Sequence, residues 1–151
     1  MRHASALALL LLLCACSRSS DNAAPDAGRA DAQCPGGFVQ GCLQAAYKAE
    51  RTGDTKGAAA MYRRACDDGE ASACNRLGAM TWGGLGVAAD PAGAYALYAR
   101  ACELGDGAGC FSAAICHRTG TCATKDEAQM KRLMQRGCEL KDARACAEAK
   151  R

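Results

Sequence analysis

The sequence predicts an all-α fold: a short right-handed α-solenoid of about three helix-turn-helix repeats, closed by a C-terminal capping helix. Three observations lead there. Eight of the 12 cysteines fall into pairs with one spacing, 34/42, 66/74, 102/110 and 138/146, and the pairs start 32, 36 and 36 residues apart. A period in this range marks a helical repeat array. The segments between the pairs also align: Asp90, Ala92 and Leu97 fall on Asp126, Ala128 and Leu133. Finally, the chain is 50% hydrophobic but only 5% aromatic, which suits closely packed helices rather than a thick β-sandwich core.

The fold begins after a leader. Arg2 and His3 precede the ten-residue apolar run Ala4–Leu13, too short for a stable membrane anchor, so residues 1–15 read as a secretory signal peptide. The stretch Leu13-Cys14-Ala15-Cys16 resembles the lipobox of bacterial lipoproteins. That resemblance implies cleavage before Cys16 and acylation of its thiol; Cys14 is the weaker candidate, and an ordinary signal peptide is the alternative. Ser17 in second place implies the outer membrane, with the domain facing the periplasm or the cell surface; without the lipid the protein would be periplasmic or secreted. Residues 16–33 are rich in Ser, Asp and Ala with no apolar period, and read as a lipidated flexible tether.

The repeats follow over residues 34–146, at about 34–66, 67–102 and 103–138, with 139–151 as the capping helix. In the middle repeat helix A is expected from about Ala73 to Trp82, stopped by the glycines at 83, 84 and 86. Asp90 is the N-cap of helix B and Pro91 its first helical residue. Ala94, Leu97, Tyr98 and Ala101 recur at three and four residues and form one buried stripe. The first repeat is four residues shorter, and the loss falls between its helices, at Gly53-Asp54.

The stretch from Arg76 to Asp106 resembles the Sel-1-like repeat, a relative of the tetratricopeptide repeat. The residues that carry the likeness are Leu77, Gly78, Gly84, Gly86, Val87, Asp90, Tyr98, Ala101 and Gly105. It is weaker in the third repeat, where Arg118 and Cys122 replace Trp82 and Gly86, and the first looks more like a short tetratricopeptide unit. The resemblance implies a curved array whose concave face grips an extended peptide or protein, with Lys48, Arg51, Arg76 and Met80 as candidate contacts on helices A. Trp82 is expected to pack under its turn.

At each repeat junction the chain reverses between the paired cysteines, which brings their backbones close enough to bridge. Each closed loop of nine residues contributes about 2.6 kcal/mol in the chain-entropy model, so four contribute on the order of 10 kcal/mol as an upper bound. Cys116 and Cys122 take the places of Met80 and Gly86 and would clamp helix A to helix B inside repeat three. Cys34, Cys42, Cys66, Cys74, Cys102, Cys110, Cys116, Cys122, Cys138 and Cys146 then form five bridges, which an exported chain can keep oxidised. Zinc on Cys116, His117 and Cys122 is the competing reading, but the spacing matches no common zinc motif, and covalent haem fails at Ala113.

The cysteine-rich branch of the resembling family includes proteins described as penicillin-binding or β-lactamase-like. The residues give that label little support. None of the serines beyond the leader, Ser17, Ser19, Ser20, Ser72 and Ser112, has Lys three residues on. Ser72 reads as a helix N-cap, and His117, the one histidine beyond the leader, as a surface residue near a helix C-terminus. No catalytic residue, cofactor or resident metal is expected. Beyond residue 15 the balance is 18 basic against 16 acidic residues, interspersed, which excludes the basic stripe that nucleic acid requires. The expected partner is a protein or peptide in the envelope, bound by a monomer that meets the membrane only through its lipid.

Overall fold

The structure is a computed structural model that describes Cys34 and residues 39–150; the signal peptide, Cys16 and the tether lie outside the described residues. The chain divides into two units, Met1–Ala30 and Asp31–Arg151, and every described residue belongs to the second. Its helices are α1 (Val39–Arg51), α2 (Thr55–Asp67), α3 (Ala71–Gly83), α4 (Pro91–Glu103), α5 (Gly107–Thr119), α6 (Glu127–Glu139) and α7 (Ala143–Ala149). The first six each have 13 residues. There is no strand among the described residues, and the fold is the expected all-α solenoid. No described helix is long and apolar enough to cross a membrane.

Each A helix (α1, α3, α5) packs antiparallel on its B helix (α2, α4, α6), and each B helix on the following A helix. In addition α3 packs on α5 and α5 on α7, so these three helices form one continuous layer. The turn inside repeat one runs only over residues 52–54, whereas those in repeats two and three run over 84–90 and 120–126. The four-residue deletion therefore leaves both helices intact.

Aspartates start most of the helices. Asp54, Asp90 and Asp126 each accept a 2.9 Å hydrogen bond, from the N–H of Gly57, Gly93 and Gln129 respectively. Asp106 and Asp142 cap α5 and α7 in the same way. At α3 the expectation was different: Ser72 was to be the cap. The helix starts earlier, at Ala71, with Glu70 in the N-cap place, and Ser72 sits in the first turn donating its hydroxyl to Glu70 at 2.8 Å. A serine two residues inside the boundary cannot offer its oxygen to the second and third N–H groups, so it serves the neighbouring carboxylate instead.

The helix-B-to-helix-A corners share one construction. The N–H groups of Glu70, Asp106 and Asp142 donate to the carbonyls of Ala65, Ala101 and Gly137, at 2.9, 2.9 and 3.0 Å. Small residues meet behind that bond. A Cβ on Gly109 would stand 2.5 Å from the Ala101 methyl, and one on Gly137 2.7 Å from the Ala145 methyl. The low aromatic content follows from this, because these corners have no room for larger side chains.

Candidate functional site

The cysteines occupy the corners. Cys34–Cys42, Cys66–Cys74, Cys102–Cys110 and Cys138–Cys146 are disulfide-bonded, with Cα atoms 4.5, 4.6, 4.5 and 4.3 Å apart. Three of these lie at a junction between a B helix and the next A helix, and the first ties Cys34 to α1. Cys116–Cys122 differs: its Cα atoms are 5.0 Å apart, and it joins α5 to the turn that leads into α6. Among the described residues no group of three metal-ligating side chains comes together.

His117 is a correction. Read as a surface residue, it is buried at 9% exposure. Its Nδ1 lies 2.9 Å from the Thr124 carbonyl and its Nε2 3.0 Å from the Tyr95 hydroxyl. A carbonyl can only accept, so Nδ1 carries the proton and Nε2 accepts from Tyr95 in the neutral ring. The Tyr95 ring also meets the imidazole edge to face, with centroids 5.1 Å apart. Both ring nitrogens are thus used to hold the turn of residues 120–126 onto α4 and α5. Its counterpart in the middle repeat, Thr81, is also buried, and its hydroxyl has no partner among the described residues. That equivalence was the signal in the sequence that position 117 faces inward.

The candidate contacts on the A helices divide. Lys48, Arg51 and Arg76 are exposed, and the Arg76 guanidinium lies 5.9 Å from the centre of the Tyr47 ring. Met80 is not outward-facing; it is 4% exposed and belongs to the core with Leu77. Cys116, 36 residues further on, is likewise buried, at 2% exposure. Trp82 is the opposite correction. Instead of packing under its turn it is 53% exposed, one residue before the end of α3 at Gly83.

Trp82 stands at the edge of a groove of about 320 Å³. Phe111, Ile115 and Thr119, spaced four residues apart on α5, line it together with Tyr98 from α4, the Cys116–Cys122 bridge and Arg144 from α7. Ser112, also on the lining, donates to Asn75 on α3 at 3.2 Å. The Arg144 guanidinium lies 4.5 Å from the centre of the Phe111 ring and 2.9 Å from the Asp142 carboxylate. Burial pushes the Asp142 carboxyl up, but hydrogen bonds from Arg144 and the N–H groups of Ala145 and Arg144 outweigh that and hold it below the usual range. The chemistry on offer is an open apolar trough with hydroxyls and a guanidinium along its lining. The sequence reading missed Phe111, Ile115 and Thr119, although their four-residue spacing on one helix was visible, and it missed Arg144, which reaches the groove from α7.

The two described serines are both occupied. Ser112 bonds to Asn75 and to the Ala108 carbonyl, and Ser72 to Glu70. Neither stands beside a lysine or histidine in these contacts.

No family model matches the chain, and no curated protein matches it. Solved structures do. A Sel1 repeat protein from Oxalobacter formigenes superimposes with a TM-score of 0.69 at 22% identity, over 74% of this chain and 46% of that one. The protective antigen c5321 of uropathogenic Escherichia coli, which displays an SLR fold, gives 0.70 at 19% identity, over 76% of this chain and 26% of that one. Helicobacter pylori cysteine rich protein B gives 0.59 at 22% identity, over 74% of this chain and 94% of that one. The chain thus spans less than half the length of the first two structures and nearly all of the third. Helix pairs at steps of 32 and 36 residues, disulfide-pinned corners and these superpositions together establish that the described residues have the Sel1-like repeat fold.

Proposed function

We propose that this protein is an exported scaffold, lipid-anchored through Cys16, that binds a protein or peptide partner in the bacterial envelope. The observation that carries the reading is the groove on the A-helix layer with Trp82 half exposed at its edge. A large aromatic left in solvent beside an apolar trough is the kind of anchor that interfaces use. Five disulfides in a chain of this size support an oxidising compartment. In this reading residues 1–15 are removed, residues 16–33 tether residues 34–151 to the outer membrane, and the domain acts as a monomer.

Two measurements test it. Cys16→Ser should abolish incorporation of labelled palmitate and release the protein from the membrane fraction; unchanged labelling would count against the anchor. Photo-crosslinking from position 82 in intact envelopes should give a discrete adduct that competes with unlabelled protein. No adduct from position 82, with adducts from the B-helix surface instead, would move the binding face.

A further inference from the structure

One bridge differs from the rest in where its sulfurs lie. The cysteines of Cys34–Cys42, Cys66–Cys74 and Cys102–Cys110 are all 9% exposed or less, so a reagent reaches them only when the surrounding helices open. Cys116 is as deeply buried, but Cys122 is partly exposed, and both line the open groove. Cys138 and Cys146 are partly exposed too, yet they stand outside this groove and close the corner that carries the seven-residue α7. The turn to which Cys122 belongs has other holds. Asp126 donates its N–H to the His117 carbonyl at 3.2 Å, His117 Nδ1 meets the Thr124 carbonyl at 2.9 Å, and Asp126 caps α6. In the middle repeat the matching turn, residues 84–90, closes with no bridge at all: the Asp90 N–H donates to the Thr81 carbonyl at 2.9 Å, and Gly86 comes up against the Thr55 carbonyl.

We infer that the Cys116–Cys122 bridge is a reversible dithiol–disulfide switch in the groove wall, opened by an external dithiol while the fold stays intact. A thiolate of the dithiol attacks Cys122 Sγ, the partner that solvent reaches. The Cys116–Cys122 bond breaks, a mixed disulfide forms on Cys122, and Cys116 leaves as a thiolate that takes a proton from water. The second thiolate of the dithiol then attacks the dithiol's own sulfur in the mixed disulfide and releases Cys122. The hydroxyl of Thr121, 3.7 Å from Cys122 Sγ, is placed to donate to the thiolate formed there, which is then protonated. The dithiol departs as a disulfide, two hydrogens poorer, and each cysteine has gained one. With the bond gone, nothing covalent holds Cys122 to α5, while His117 and Asp126 still hold the turn. The groove wall can therefore change shape without the helices parting. This inference rests on the geometry of the groove and not on what the groove binds.

The test treats the folded, oxidised protein with dilute dithiothreitol, takes samples into N-ethylmaleimide, and maps the adducts by peptide mass. Cys116 and Cys122 should be labelled at least about tenfold faster than the cysteines of the three buried bridges, whose reduction waits for local unfolding. Far-UV circular dichroism should hold steady while they are labelled. Trp82 is the one tryptophan of the chain and stands at the edge of the groove, so its emission should move in step with the labelling of Cys122. Removing dithiothreitol and adding oxidised glutathione should close the bridge again and restore the emission. Labelling of Cys116 and Cys122 no faster than that of the buried bridges overturns the inference. So does labelling that comes with loss of helix, because the bridge would then be a staple of the fold. Emission that ignores the labelling overturns the link to the groove, and a bridge that does not re-form overturns the reversibility. None of these outcomes touches the peptide-binding reading, which the crosslinking from position 82 decides.

Discussion

Gly78 on α3 leaves the space that the Tyr98 ring on α4 occupies: a Cβ at position 78 would stand 2.7 Å from Tyr98 Cε1 and 2.8 Å from Cδ1. The Cδ1–Cε1 edge of the ring comes up against the α3 backbone, which explains why Leu-Gly on helix A pairs with Tyr on helix B in the middle repeat. Gly78→Ala should destabilise the domain by about 1–2 kcal/mol, overpacking outweighing the roughly 1 kcal/mol gained in helix propensity. Chemical unfolding measures it, and the double variant with Tyr98→Ala should cost less than the two singles added. Additive costs would mean that the two residues do not share the space.

The corner at Lys141 violates the local rule that its neighbours keep. Gly69 and Gly105 take φ of 94° and 97° there, and Lys141, 36 residues after Gly105, takes 66°. An L side chain pays about 1–2 kcal/mol for that conformation, while glycine loses about 0.5–1 kcal/mol more on folding. Lys141→Gly should therefore raise stability by about 0.5 kcal/mol, and Gly105→Ala should lower it by about 1 kcal/mol. Thermal melts of both variants decide it; a lower midpoint for Lys141→Gly would contradict the account.

Tyr62 should make the domain sensitive to alkali. It is fully buried, and its hydroxyl donates to Glu50. Burial first, then the hydrogen bond and the charge of Glu50, push its pKa well above the usual tyrosine value. A group whose pKa is higher folded than unfolded contributes its stability below the unfolded value, near 10, and loses it as pH climbs beyond. Tyr62→Phe should cost about 1.5–2 kcal/mol at neutral pH, and less at pH values above about 10. Urea unfolding at several pH values checks this; a gap between wild type and variant that widens with pH would refute it.

The Cys116–Cys122 bridge should matter for the groove more than for the fold. Replacing both residues with Ala removes a seven-residue loop closure, about 2.4 kcal/mol in the chain-entropy model. Because Cys116 and Cys122 line the groove and His117 holds the same turn, the variant should also alter Trp82 emission. Replacing Cys66 and Cys74 should lower stability to a similar extent with Trp82 emission unchanged. Identical spectra for the two variants would separate the bridge from the groove.

What the sequence made legible was whatever a local rule decides. Asp90-Pro91 marked a helix start, Gly84 a helix stop, and the cysteine period marked the corners; each depends on a few neighbouring residues. What it hid depends on how one repeat leans on the next. Trp82 looked like a residue tucked under a turn, yet it stands half exposed beside residues of α5 from the next repeat. Met80 and His117 face the gap between helices A and B, a direction that a single-helix pattern of small residues does not fix. The groove was hidden for the same reason, since its walls come from α3, α4, α5 and α7 together.

The central claim is that ten cysteines close in five specified pairs, three of them at corners between helices, one joining Cys34 to α1 and one inside repeat three. The most direct measurement is the intact mass of the protein purified from envelopes, before and after reduction, with N-ethylmaleimide added to the denatured, unreduced chain. The account predicts no maleimide adduct and a mass increase of about ten daltons on reduction, since each disulfide holds two hydrogens fewer than its thiols. Maleimide on Cys116 and Cys122, or a reduction shift smaller than five bridges require, would contradict it.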